Sequence, residues 1–134
     1  MALQESVAVR NARLDAIETA IGTGALLYLR SGAPPADCAS ADSGTLGATL
    51  TLPSDWLAAA ASGSKAKAGT WSGTGSAAIT AGHFRIKDSG GTTTHLQGTI
   101  TATGGGGDMT LDNTSIAVSQ TITISTFTIT AGNA

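Results

Sequence analysis

The stretch Thr121-Ile122-Thr123-Ile124-Ser125-Thr126-Phe127-Thr128-Ile129-Thr130 constrains this chain most. Its apolar residues recur with a period near two, and every residue between them is Thr or Ser. That period puts aliphatic groups on one face of a strand and hydroxyls on the other, whereas on a helix it would scatter them around the axis. Thr and Ile also favour the pleated conformation. The phase shifts between Ile124 and Phe127, three apart rather than two, so a β-bulge at Ser125-Thr126 is predicted to restore the inward face.

The last two-thirds of the chain repeats this style with Thr, Ser, Ala and Gly, so a β-rich body is predicted. Ala25 to Arg30 reads as a first strand with apolar residues on both faces, which predicts cover on both, the helix supplying one. Thr45 to Leu52 reads as a second, with Leu46, Leu50 and Leu52 on one face. Residues 82 to 103 read as a hairpin. Phe84 and Ile86 alternate with His83, Arg85 and Lys87, and Leu96, Gly98 and Ile100 alternate with His95, Gln97 and Thr99. A loop at Ser89-Gly90-Gly91 would place Phe84 opposite Leu96 and Arg85 opposite His95. Trp71 falls in a short strand, Asp108 to Leu111 forms another, and Gly104 to Gly107 reads as a flexible turn.

Two helices are expected. Leu3, Val7, Leu14, Ile17 and Ile21 recur at spacings of three, four and seven, which predicts an amphipathic helix over residues 3 to 21 with Arg10 interrupting its stripe. Gly22 and Gly24 supply its stop. Ser54 or Asp55 could cap a short second helix carrying Trp56 and Leu57 through to Ala61, with Trp56 as a core anchor. Between the first two strands, Ser31 to Gly44 reads as a long loop in which Pro34-Pro35 excludes a central strand. Loops of that length tend to carry function.

Little in the chain is equipped for catalysis. Its histidines, His83 and His95, share the polar face of one hairpin with the fixed charge of Arg85 between them, and Cys38 is remote. No C-x-x-C, H-x-x-x-H or G-x-S-x-G pattern occurs. Most Asp residues after the helix fall in turns, where Asp bonds to backbone. Asp108 and Asp112 do not have the spacing of an EF-hand loop. The glycine run lacks the Lys-Ser/Thr of a phosphate loop. The reading is therefore non-enzymatic, with no catalytic, cofactor or metal residues.

Composition narrows the partners. Seven basic against nine acidic residues form no stripe for phosphates, which argues against nucleic acid. No apolar run reaches bilayer length, which argues against a membrane. The start Met1-Ala2-Leu3-Gln4-Glu5 lacks a signal peptide's basic and apolar regions, and a lone cysteine cannot form an intrachain disulfide, so synthesis in a cytoplasm is expected. Aromatics are only 4% of the chain, leaving a thin stability margin that neighbouring copies could supplement.

Three segments carry a resemblance: Asn11-Ala12-Arg13-Leu14-Asp15-Ala16-Ile17-Glu18-Thr19, Ser31-Gly32-Ala33-Pro34-Pro35-Ala36-Asp37-Cys38 and Leu52-Pro53-Ser54-Asp55-Trp56-Leu57. Gly107-Asp108-Met109-Thr110-Leu111-Asp112-Asn113 adds to them. With these segments the chain resembles small virion structural proteins of tailed bacteriophages, most of all the head decoration, or cement, proteins that bind the capsid exterior. The resemblance implies a β-sandwich or jelly-roll body; joined to the reading of the residues, this gives a mainly β fold with that body over residues 23 to 134 behind an N-terminal helical arm over 1 to 22. It also implies a homodimer or homotrimer bound to the major capsid protein, on the outside of a virion assembled in a bacterial cytoplasm. On that reading the contact surfaces are the helix residues Leu3, Val7, Arg10, Leu14, Ile17 and Ile21 and the 31–44 loop with Pro34 and Pro35. Two alternatives stay open, a tail- or fibre-associated component using the helix as a coiled-coil seam, and a carbohydrate-binding module using an exposed Trp.

Overall fold

The structure, a computed structural model, describes residues 3–132. It is mainly β with one N-terminal helix and a curled, sandwich-like body. Helix α1 spans Val7–Ile21. It starts later than the apolar stripe predicts because Ser6 is extended (φ −64°, ψ 158°) and its hydroxyl accepts the Val9 N–H, an N-cap. Gly22, at φ 86°, ends it and donates its N–H to Glu18 O.

Ten strands follow: β1 (Leu26–Ser31), β2 (Leu46–Thr51), β3 (Ser64–Ala66), β4 (Trp71–Thr74), β5 (Ile79–Lys87), β6 (Thr94–Ala102), β7 (Met109–Leu111), β8 (Ser115–Ile116), β9 (Thr121–Ile124) and β10 (Thr128–Thr130). The main sheet has the order β2-β1-β5-β6-β7, and β8 also pairs β5. Two short antiparallel pairs, β3 with β10 and β4 with β9, complete the body.

The core lies between these layers. Leu27, Leu29, Leu50, Phe84, Ile86 and Ile100 come from the main sheet, and Trp71, Ile122, Ile124 and Phe127 from the segments facing it. Few aromatics suffice because four of the five stand in a row. Trp56 lies 5.9 Å from Trp71, Trp71 lies 5.5 Å from Phe127, and Phe127 meets Phe84 edge-on at 5.5 Å. Such pairs add about 0.5–1.5 kcal/mol each beyond the area they bury. The indole N–H groups donate to Gly22 O from Trp56, and to Trp56 O and Ala68 O from Trp71, so neither is left unmet.

Several expectations are corrected. No helix forms at 54–61. The segment is extended, with Leu57 bridged to Lys67 and Ala61 to Ser64. Adjacent residues Trp56 and Leu57 are both buried there, an arrangement an extended chain between two layers provides. The alanines after them offer a helix no apolar face to bury. The Ser125-Thr126 bulge is instead a break between strands: β9 ends on β4, the chain crosses over, and β10 resumes on β3 with Phe127 turned inward.

The hairpin forms with its faces as predicted and its register slid by two residues. Phe84 lies opposite Gly98, Arg85 opposite Gln97 and Ile86 opposite Leu96. A Cβ at Gly98 would come within 2.8 Å of the Phe84 ring, so the glycine makes room for Phe84 to lie across it. The loop is correspondingly longer, and Asp88 closes it by accepting the Thr92 N–H at 3.0 Å.

The four-glycine run is a tight return rather than a free turn. It brings β7 parallel to β6, with Ile100 beside Met109. Parallel neighbours ordinarily need a crossover of a dozen residues. Here Gly104 and Gly106 take φ 88° and 83°, and a Cβ at Gly105 would press on the Thr101 side chain at 2.7 Å.

Candidate partner-contact surfaces

Helix α1 divides its stripe between inside and outside. Leu14 and Ile21 are buried and Ile17 packs against the core, so this part of the stripe is occupied by the chain's own body. Leu3 is 84% exposed, Val7 49% and Val9 47%. The apolar residues left outward are therefore at the helix's beginning, and Val9, off the predicted stripe, joins them.

Polar contacts fix the helix in place. The Arg10 guanidinium donates from Nε to Ala131 O at 2.8 Å, tying α1 to the chain's far end. Lys65 on β3, its side chain only 2% exposed, reaches Asp15 at 2.7 Å and Glu18 at 3.3 Å, one helical turn apart. Burial pushes the lysine pKa down, but the hydrogen bonds to Asp15 and Glu18 outweigh it and the net direction is up. The bond from Lys65 holds the Asp15 carboxyl below its usual range. Asn11 accepts the Gly63 N–H and Asp15 the Ala60 N–H, so the segment before β3 is hung from the helix.

The loop from Gly32 to Gly44 is laid across the outer face of the main sheet, and it supplies the cover that the helix was expected to give. His83, Arg85 and Lys87, expected on an open polar face, are buried beneath it. Arg85, 1% exposed, is its main fastening. Nη1 donates to Ser40 O at 3.0 Å and to the Asp42 carboxylate at 2.5 Å, and Nη2 to Asp37 O at 3.2 Å and Cys38 O at 3.0 Å. Lys87 Nζ holds the other Asp42 oxygen at 2.8 Å, with Arg30 at 3.7 Å. Partial burial raises the Asp42 pKa, and the bonds from Lys87 and Arg85 more than reverse this, so the carboxyl sits below its usual range. Pro34 and Pro35 are half-buried, and Pro35 O accepts from Gln97 Nε2 at 2.8 Å.

One signal of this network is present in the sequence. The first strand is apolar on both faces, and the basic residues beside it in β5 face a loop containing Asp37 and Asp42. Opposite charges on a strand and on a long neighbouring loop suggest that one folds over the other.

The remaining candidates are dispersed. His83 sits opposite Thr99 and donates from Nδ1 to Gly32 O at 2.9 Å, while His95 lies toward the hairpin's loop end. Among the described residues no group of three or more His, Cys, Asp or Glu is placed to hold a metal ion, and no helix is long and apolar enough to cross a membrane. An open groove of about 500 Å³ is lined by Phe84, Leu96, Phe127 and Ile129 among others. Its one ionisable lining residue, Asp108, is engaged in accepting the Thr99 N–H and hydroxyl. That carboxylate meets the Thr99 N–H one residue before β7 takes over the pairing at Ile100.

No protein-family model, no curated protein and no solved structure matches the chain.

Proposed function

We propose that this protein is a non-enzymatic structural component of a tailed-phage virion, a decoration protein that binds the capsid exterior and bridges major capsid protein subunits as a homo-oligomer. The resemblance of four segments to such proteins gives the reading its direction. The observation that carries it further is the apolar group at the start of α1. Val7 and Val9 are exposed on a helix that Arg10 and Lys65 fix to the body, and Leu3 is exposed just ahead of its cap. An exposed apolar group on a rigid support can add contact area without a large ordering cost. Many copies on one shell would add avidity. Of the predicted contact residues, Leu3 and Val7 are exposed, and Arg10, Ile17, Pro34 and Pro35 are half-buried. Leu14 and Ile21 serve the chain's own core.

Two alternatives are less well supported. A fibre component would use the helix stripe as a seam between chains, but Leu14 and Ile21 already face inward. A carbohydrate module needs an aromatic platform, and Trp56 and Trp71 are both fully buried.

The test is quantitative mass spectrometry on purified virions with heads and tails separated. The expected result is a copy number comparable to the major capsid protein, in the head fraction. A few copies in the tail fraction would move the assignment to a tail component, and absence from the particle would overturn the virion reading.

A further inference from the structure

The loop from Gly32 to Gly44 is fastened in an uneven way. Its connections to the sheet are polar: Arg85, Lys87, Arg30, Gln97 and His83 each hold it by a hydrogen bond or ion pair. None of its residues belongs to the hydrophobic core. Among the described residues, three buried side-chain atoms lack a protein partner, namely His83 Nε2, Arg85 Nε and Gln97 Oε1. All three residues reach the loop, and Arg85 and Gln97 face each other across the β5–β6 ladder. Buried polar atoms without partners disfavour the state that buries them, and lifting the loop would return all three to water.

The ends of the loop are built as pivots. Gly32 and Gly44 have φ of 78° and 65°. Between them the sheet end is closed by Ser31 N–H donating to Thr45 O and Thr45 N–H donating to Ser31 Oγ. A Cβ at Gly82 would strike Gly32 O at 2.4 Å, so β5 carries a glycine where the loop departs. Joined ends, no core residue and a turn of its own, made by Asp37 with Ser40, describe a compact Ω-like unit rather than an extension of the sheet.

We propose that residues 32–44 form a strap that opens as a unit while the sheet stays folded, with Asp42 as its latch. Asp42 is the one strap side chain that holds three cations, Arg85, Lys87 and Arg30. The other strap contacts go to backbone carbonyls, which water satisfies equally well once the strap lifts. Opening uncovers Arg85, Lys87 and His83 as one basic row on a rigid sheet. This device is independent of the virion assignment.

Cys38, half-buried in the strap, reports the opening. Labelling of the intact protein by a bulky maleimide is followed in native buffer, each rate normalised to that of the same variant unfolded in urea. Removing a charge-assisted clip should raise the open population about tenfold or more, so Asp42→Asn should label about tenfold faster than the parent. Ile124→Val, which weakens the core far from the strap, should leave the rate unchanged. Equal labelling of Asp42→Asn and parent would overturn the latch. An acceleration by Ile124→Val matching that of Asp42→Asn would overturn opening as a separate unit. Should Asp42→Asn fail to fold, Arg30→Gln, which removes the longest of the three ion pairs, carries the test with a smaller acceleration, and none would overturn it.

Discussion

Single glycines decide two of the less usual features of this fold, for different reasons. At Gly98 the constraint is space. An added Cβ would stand 2.8 Å from both Phe84 Cε1 and Asp108 Oδ2, in a buried position on a central strand. At Gly104 the constraint is conformation, since φ is 88° and nothing lies within 4 Å of an added Cβ. Gly98→Ala should therefore behave as an overpacking change, costing about 1–3 kcal/mol. Gly104→Ala should cost about 1 kcal/mol, the penalty for a left-handed non-glycine residue. Urea denaturation measures both, and a loss well below about 1 kcal/mol for Gly98→Ala would show that Phe84 does not need the space at this glycine. Gly98 was visible in the sequence as part of the inward alternation. What was not visible is that Phe84 uses it as a seat. A hairpin's faces follow from period two, whereas the choice among registers two residues apart preserves every face and depends on such side-chain fits.

At the scale of elements, the helix and β3 are held by an ion cluster whose members are not equivalent. Lys65 is buried, while Asp15 is half-exposed and Glu18 less so. Losing the carboxylates strands a buried ammonium; losing the lysine leaves carboxylates that water can reach. The double variant Asp15→Asn/Glu18→Gln should therefore have a lower melting temperature than Lys65→Met. The reverse order would mean that the lysine's alkyl stem, not its charge, is what packs. The pH dependence follows from the directions of the shifts. The raised Lys65 pKa contributes stability that is complete below the ordinary lysine value of about 10.4 and lost as pH rises through the folded value. The lowered Asp15 pKa contributes stability present above the ordinary value near 3.9 and lost as pH falls through the folded one. Lys65→Met should flatten the alkaline side of the stability profile. None of this was legible from spacing alone, because Lys65 lies in a stretch of small polar residues without period. The helix and its stop were legible, and of its stripe Leu14, Ile17 and Ile21; Val7 stays exposed, and Leu3 falls before the start that Ser6 sets by capping.

The whole molecule joins its two ends through the helix, and this decides which truncations it tolerates. Residues before Ser6 precede the cap, and Leu3 among them is exposed. Residues from Arg10 to Ile21 supply the bond to Ala131, the buried Leu14 and Ile21, and both partners of Lys65. An N-terminal arm that could be cut away at residue 22 was the natural expectation from a narrow stripe followed by glycines. The packing argues for a different boundary. Deleting residues 1–5 should shift the melting temperature little, by about 4 °C or less, because none of the described residues removed is a core side chain and exposed ion pairs such as Glu5 with Arg13 contribute about 1 kcal/mol at most. Deleting residues 1–21 should abolish the cooperative transition, since it exposes the Trp56 end of the aromatic row, whose indole donates to Gly22 O beside the helix stop. Both buried tryptophans report that transition by fluorescence. A folded 22–134 fragment, with tryptophan emission as blue-shifted as the parent's, would show that the sheet closes its core alone and that α1 is an attached arm after all. If instead only the short truncation folds, it becomes the right reagent for the particle experiment. Lost capsid binding by a fully folded 6–134 chain would then point to Leu3 and its neighbours as contact residues, free of any effect on the fold.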